Sequence, residues 1–395
     1  MRPEKKGLTF VAPTWASLQE QFFERFGQEP DSIWQSPGRI NLIGDHTDYQ
    51  GGLALPIAVP YSTWVLGRMR ADQTIRVYSD YGQEEIHIQI PSMRSLAQNR
   101  PLRGLAGFVM AAWDLLRCEQ GMDLLIVSTL PVATGLSSSA SLSLGLLATM
   151  AEIMGQSVPQ EQMIALARMI ENEYLGVNSG ILDPLAIAKG RANSALLVDA
   201  LLQDARPVPF DYAQNGMSLW IIDTQTPRTL AASEYDKRVW ETQEASRMLG
   251  VANLRDANGQ SIERLADPVL RARARHVIRE NQRVEWTVEA AQDGDWDRVK
   301  SLFWASHQSL SQDFMVSTAV LDQTVEWLQE MGIGARLTGA GFGGSVVALA
   351  YLGQGEDITR RLTQAYCEKG WHSPIFLEVR SPAEGLHKLT YERTQ

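Results

Sequence analysis

Cysteine is scarce in this chain: there are two in 395 residues, Cys118 and Cys367, far apart in sequence. That excludes a disulfide-stapled scaffold and suits a reducing cytosol. Histidine is also sparse, and the six present show no paired metal-ligand spacing, which argues against a zinc site. Lysine and arginine number 36 against 46 aspartates and glutamates. The formal net charge of −10 disfavours a general partner of nucleic acid or anionic membrane, since either calls for a basic face. No apolar run approaches the ~18 residues of a membrane-spanning helix, and MRPEKKGLTF lacks the apolar stretch of a secretory signal. A cytoplasmic protein is therefore expected. No repeat or low-complexity tract is visible. What remains is an ordinary composition, 44% hydrophobic and 21% charged, on a chain long enough for a large core and two domains.

Hydrophobic periodicity gives a coarse outline. Thr14 is placed to cap a helix in which Phe22, Phe23 and Phe26 supply an apolar face and Gly27 the stop. TIRVYS (74–79) and EIHIQI (85–90) alternate as half-buried strands do. LLIVSTL (124–130) reads as a strand, SLSLGLLATMAEIMG (141–155) as a largely apolar helix, and QMIALARMIENEY as another. Residues 261–299 read as mostly helical. Towards the end, QTVEWLQEMG (323–332) and EDITRRLTQAYCEKG read as helices, and ARL, SVVALAYL (345–352) and PIFLEVR (374–380) as strands. Strands packed under helices on one face predict an α+β fold. A domain boundary falls between residues 200 and 215, where ARPVPFDYAQNG breaks the pattern.

Three loops are suited to polar ligands. PVATGLSSSA joins a strand to a helix, so its backbone N–H groups and the helix dipole favour an anion. Ser137, Ser138 and Ser139 add hydroxyls for phosphate oxygens or magnesium, although a small-residue helix start explains the same stretch. TGAGFGG (338–344) fits G-x-G-x-x-G, but a strand follows where a dinucleotide site demands a helix. There is no P-loop motif. SPGRINLIGDHTDYQGG gathers Arg39, Asp45, His46 and Asp48, able to hold a polyhydroxylated ligand or equally to form an Asx-rich turn.

Elsewhere, GVNSGILDP sets Asp183 before Pro184, the pattern of an N-cap followed by Pro at the first helical position. Glu171 lies twelve residues earlier. Two such carboxylates are able to serve separately, one on magnesium and one beside an attacking hydroxyl. RTLAASEYDKR (228–238) offers Arg228, Glu234, Tyr235 and Arg238 on what reads as an exposed helix start capped by Ser233.

In combination these motifs resemble the GHMP kinases and, within them, the galactokinases. GRINLIGDHTDYQGG is similar to the galactokinase signature G-R-x-N-L-I-G-E-H-T-D-Y-N-G-G, and PVATGLSSSA to the phosphate loop. ENEYLGVNSGILD resembles the catalytic-aspartate segment, SEYDKR the sugar-contacting tyrosine segment, and GARLTGAGFGG the third family motif. The resemblance implies an ATP-dependent sugar 1-kinase, with galactose as the leading substrate. It implies a two-domain α+β fold, residues 1–205 binding sugar and ATP and residues 206–395 closing a shared cleft. Asp183 and Arg39 are the implied catalytic pair. Asp45, His46, Asp48 and Tyr235 are the implied sugar contacts. Thr134, Gly135, Leu136, Ser137, Ser138 and Ser139, with Gly339 and Gly341, are implied for ATP, and Ser138 and Glu171 for Mg2+. Sugar and ATP are the expected partners, with neither nucleic acid nor membrane; oligomeric state leaves no trace in the sequence.

The chain departs from the family pattern at several places. Asp45 stands where galactokinases carry Glu, Ala133 where the phosphate loop has Gly, and Pro184 where Gln is common. Leu105 replaces a tryptophan, and Ala200 and Leu201 replace a Cys-Arg pair after LLVD. These changes leave open a kinase for another galacto-configured sugar. A non-catalytic sugar and ATP sensor is the rival of a different class, disfavoured because Ser139, Ala140 and Asp183 are all present.

Overall fold

The computed structural model describes residues 12–90, 100–131, 134–177, 179–227 and 231–390. A six-stranded sheet runs in the order His387–Lys388, Ser32–Asn41, Pro56–Met69, Met122–Ser128, Thr74–Ser79, Glu84–Gln89. All its pairings are antiparallel except Thr74–Ser79 with Met122–Ser128. Strand alternation explains why the long central strand is apolar throughout. Trp64 and Leu66 face the helix Trp15–Phe26 with Phe22, whereas Val65 faces the opposite layer with Val109, Leu144 and Leu147. That layer consists of the helices Gly104–Leu115, Ser138–Ile153, Gln160–Met169 and Leu182–Lys189.

A second, four-stranded antiparallel sheet runs Gly334–Thr338, Ser345–Tyr351, Met217–Asp223, Ile375–Val379. One face, including Ile222, Val346 and Ala348, packs on the helices Ala319–Glu330 and Gly355–Glu368. The other, including Leu219, Ile221 and Val347, meets Val284 and Phe303 of the helices Pro268–Gln292 and Trp296–Gln312. Ile40, Leu42 and Ile57 from the first sheet join the same cluster. One apolar core therefore seats the end of the first strand against the second sheet. Leu53–Ala54, Ser194–Asp199 and Asp204–Pro209 form a small third sheet.

The expected elements are found, with local differences. Thr14 accepts a hydrogen bond from Ser17 N–H and Gly27 closes the helix in the left-handed conformation. Phe23, however, is 52% exposed, because Phe22 and Phe26, four apart, take the buried side. The helical region 261–299 takes in the end of a short helix, Gly259–Ile262, and two longer ones, capped by Asp267 and Asp295. QMIALARMIENEY changes from α-helix to a π turn at Ile170–Tyr174, a departure frequent at functional sites. Among the described residues no helix is long and apolar enough to cross a membrane.

Candidate active site

The stretch GDHTDYQGG is polar yet tightly folded. Gly44 has φ +93°, and a side chain there would come within 2.5 Å of the Leu53 carbonyl. Thr47 Oγ1 donates to the carbonyls of Gly44 and Leu53 (3.0 and 2.7 Å). Asp48–Gln50 forms a short 3-10 turn closed by Gly51. Gln50 is buried and bonds Thr242, Ser246 and Leu254 N–H, which fastens the loop to the helix Ala231–Leu249.

Every polar side chain of the loop has a partner. The Asp45 carboxylate pairs with the fully buried Arg336 and accepts the Gly339 N–H at 3.1 Å. His46 Nε2 lies 3.1 Å from the Ala340 carbonyl. A carbonyl only accepts, so the proton sits on Nε2 and Nδ1 accepts the Tyr49 hydroxyl (2.9 Å). Burial holds His46 down at about 3, so the ring is neutral. Burial raises the Asp48 carboxyl to about 6, against its bond from Tyr49 N–H and with help from the nearby charges of Asp183 and Asp45. Asp48 thus satisfies part of the turn reading as well as facing the cavity.

Asp183 is not the N-cap that Asp-Pro predicts. The helix Leu182–Lys189 has Ile181 at its N-cap, and Asp183 lies within the first turn. Its carboxylate is engaged elsewhere: Arg39 donates from Nε at 2.8 Å and approaches with the terminal nitrogen at 2.5 Å, and Ser137 Oγ donates to the other oxygen. Arg39 also donates to the Gly135 carbonyl (2.6 Å), and its backbone N–H to the Leu136 carbonyl (3.1 Å). Gly38 permits that approach, since a side chain there would lie 2.8 Å from the Leu136 carbonyl.

The serine loop leads into the helix Ser138–Ile153 through Gly135 (φ +81°) and Ser137 (φ +57°). Thr134 is buried, with its carbonyl accepting from Ser345 Oγ at 2.7 Å. Ser139 hydrogen-bonds Glu171, whose carboxyl burial pushes up. Glu171 Oε1 is buried and unpartnered, so the π turn presents an unsatisfied acceptor beside the serines. Among the described residues no three His, Cys, Asp or Glu side chains converge as a metal cage. Magnesium does not need one, because it keeps waters and phosphate oxygens as ligands, and the unpartnered Glu171 Oε1 suits such a cation.

Arg39, Asp45, His46, Asp48, Asp183 and Tyr235 line one cavity of about 190 Å³, completed by Ser179, Gly180, Leu182, Gly339 and Ala340. The Tyr235 ring lies 5.7 Å from those of His46 and Tyr49. Gly341 does not line the cavity; it has φ +77°, and a side chain there would be 2.3 Å from the Val316 carbonyl. TGAGFGG connects two antiparallel strands, Gly334–Thr338 and Ser345–Tyr351, as expected from the apolar run after it. Ser233 falls inside the helix Ala231–Leu249, not at its cap. Ala133 and Arg228 lie outside the described residues.

Sequence reading passed over the groups that hold the loop from behind. Arg336 pairs with Asp45, and His276 Nε2 lies 3.1 Å from the Asp45 carbonyl. Glu280 Oε1 accepts the Gly44 N–H (3.1 Å) and Ser306 Oγ (2.5 Å), while Arg283 Nε holds its other oxygen (2.6 Å). A charged residue between Ala335 and Leu337 in an apolar strand was the available signal, since a buried arginine requires a buried partner.

Residues 20–69 match the galactokinase galactose-binding signature, 105–191 the GHMP kinases N terminal domain, and 287–369 the GHMP kinases C terminal. A mevalonate kinase of Methanococcus jannaschii has the same fold at 17% identity, with TM-score 0.68 over 89% of this chain and 98% of that one. The class defined by the two sheets and the serine loop is thus the GHMP kinases. The galactokinase of Streptomyces coelicolor is 32% identical over 94% of this chain and 98% of its own length. That of Enterococcus faecalis is 34% identical over 94% and 99%. The crystal structure of Lactococcus lactis galactokinase complexed with galactose superposes with TM-score 0.86, at 32% identity, over 95% of this chain and 99% of that one. The chain belongs to the galactokinase family.

Proposed function

We propose that this enzyme transfers the γ-phosphoryl group of ATP to the anomeric hydroxyl of galactose, giving galactose 1-phosphate and ADP. The observation that carries this reading is the Arg39–Asp183 pair at 2.5 Å, standing between a cavity of hydroxyl-binding side chains and the serine loop at a helix N-terminus. The Lactococcus lactis relative was crystallised with galactose. Asp48, His46 and Tyr235 hold the ring, and Asp45 lies towards its C6 end. Asp183 receives the proton of the anomeric hydroxyl as the oxygen–phosphorus bond forms and the bond to ADP breaks. Arg39 steadies the charge that develops between them. Backbone N–H groups of residues 134–139 hold the phosphates, and Gly339 shapes the opposite wall.

Ser138 and Glu171 would hold magnesium, which supplies charge neutralisation on the phosphates when bound. Residues 1–205 supply most of these groups and residues 206–395 the remainder. A cytoplasmic setting accords with two free thiols, Cys118 buried and Cys367 exposed. Galactose preference in an ADP-release assay with Mg-ATP, run against glucose, N-acetylgalactosamine, galacturonate, arabinose and fucose, is the expected result. Turnover confined to another sugar would replace galactose. Sugar binding without any turnover would make the protein a sensor.

A further inference from the structure

The π turn Ile170–Tyr174 sends two successive side chains to two different parts of the site. Glu171 bonds Ser139 of the serine loop. Asn172, the next residue, bonds Ser179, seven residues along the chain, three times. Its Oδ1 accepts the Ser179 N–H at 2.9 Å and the Ser179 hydroxyl at 2.8 Å. Its Nδ2 donates to the Ser179 carbonyl at 3.1 Å. One side-chain amide therefore grips both backbone polar groups of a single residue, which fixes the peptides on either side of it.

A side chain that staples a loop is common; here the stapled residue is itself a wall of the cavity that holds Arg39, Asp48 and Asp183, and so is Gly180 after it. The Gly180 backbone packs directly on a carboxylate, because a Cβ there would lie 2.6 Å from Asp48 Oδ2. The peptide that Asn172 holds thus sets the room left to Asp48. The backbone bonds of the segment act before that point: Val177 N–H donates to the Glu171 carbonyl at 2.9 Å, and Ser179 N–H to the Val177 carbonyl at 2.9 Å. The Ser179 carbonyl, which leads into Gly180, is held by Asn172 Nδ2. Asp183 is secured separately, by Arg39 and Ser137.

We infer that Asn172 is a positioning residue for the sugar: from outside the cavity it holds the Ser179–Gly180 wall at the distance from Asp48 that lets the carboxylate take ring hydroxyls. The inference rests on the sugar reading of that cavity. Loss of the Asn172 amide falls on sugar binding and not on phosphoryl transfer, because Asp183 keeps Arg39 and Ser137. It spares the nucleotide side as well, because Glu171 keeps Ser139.

The test is ADP release with galactose and Mg-ATP on the wild type, Asn172→Ala and Asn172→Asp, with the sugar KM, the ATP KM, kcat and the magnesium concentration for half-maximal rate read separately. Asn172→Ala should raise the sugar KM by about tenfold or more, since a wall displaced by about 1 Å misplaces the ligand. Its kcat at saturating sugar, its ATP KM and its magnesium requirement should stay within about twofold of wild type. Asn172→Asp keeps an acceptor for the Ser179 N–H and hydroxyl but not the donor to the carbonyl, so its sugar KM should fall between the other two. An unchanged sugar KM in Asn172→Ala overturns the inference. A rise matched by the ATP KM and the magnesium requirement also overturns it, because a loosened π turn disturbs Glu171 as much as Ser179. If Asn172→Ala does not fold, Asn172→Asp decides: a sugar KM raised alone upholds the inference and an unchanged one overturns it. A wild type that does not turn over galactose removes the galactose reading alone. The comparison is then made with the sugar that it does phosphorylate, or by calorimetric sugar binding where it phosphorylates none.

Discussion

Ser137 donates its hydroxyl to Oδ2 of Asp183, so the loop at the helix N-terminus and the carboxylate of the sugar cavity form one hydrogen-bonded unit. Arg39 occupies the other oxygen at 2.8 and 2.5 Å and the Gly135 carbonyl at 2.6 Å. Loop, arginine and acid are therefore linked, and a displacement of the loop is felt at the carboxylate.

The Asp183→Asn variant tests that unit. An amide keeps the shape but turns an N–H towards Arg39 or Ser137 and no longer takes a proton. A fall in kcat of about 10²–10⁴ is expected, the range for a positioned acid or base. Far-UV circular dichroism and nucleotide affinity should be unchanged. Near-normal kcat would remove Asp183 from the reaction.

Asp48 makes sugar affinity depend on pH. Burial first, then Asp183 and Asp45, raises its carboxyl from 3.8 to about 6. A folded state that binds the proton more tightly gains stability fully present below about 4 and lost as pH rises through about 6. Sugar binding runs the other way, because the ionised carboxylate is the acceptor for ring hydroxyls. The sugar KM should rise as pH falls through about 6, with kcat at saturating sugar less affected. Asp48→Asn should raise KM at every pH and flatten that profile.

Much of the scaffold was legible because single-element signals sufficed. Alternation placed Thr74–Ser79, and a capping threonine with a terminal glycine bounded Trp15–Phe26. The turn from strand to helix at the serine loop was legible from its glycine and serines. What could not be read is whatever depends on distant partners. Asp183 looked like an N-cap because its neighbour is proline, but an arginine 144 residues away claims the carboxylate. Glu280 and His276 lie in a stretch that reads only as helical, yet both are fully buried and bond Gly44 N–H and the Asp45 carbonyl. Periodicity reports which face is apolar, not which buried charge finds a partner on another element.

The Asp45–Arg336 pair predicts a separation of stability from binding. Both groups are buried, Arg336 completely. Removing one partner leaves an uncompensated charge, and Arg336→Ala should cost about 3–5 kcal/mol in urea denaturation. The double variant Arg336→Met, Asp45→Leu should recover much of that loss while sugar affinity stays low. Asp45→Glu is a gentler probe: the extra methylene carries the carboxylate ~1.5 Å further towards the cavity. The galactose KM should fall. A rise would show that the shorter side chain is matched to a bulkier C6 end.

Gly180→Ala should injure sugar binding without touching ATP. The added carbon would sit 2.6 Å from Asp48 Oδ2, far inside contact distance, and must displace a carboxylate that the Tyr49 N–H helps to hold. A rise in sugar KM of about 10–100-fold, with the ATP KM unchanged, is expected for a positional error of about 1 Å. Equal loss on both substrates would mean that the segment Ser179–Leu182 serves the nucleotide as well.

Glu171 predicts how the enzyme responds to loss of metal. Its Oε1 is buried without a partner, its burial favours the protonated form, and Ser139 is bonded to it. A cation beside that oxygen would satisfy it and reverse the electrostatic penalty, so protein and metal stabilise each other locally. Chelation should abolish turnover reversibly, and Glu171→Gln should raise the magnesium concentration for half-maximal rate by about 10–100-fold. The same substitution removes a buried acid that gains nothing in the metal-free protein, so its melting temperature without magnesium should not fall. If melting drops sharply while magnesium dependence is unaltered, Glu171 belongs to the packing of the π turn and the cation is held by other groups.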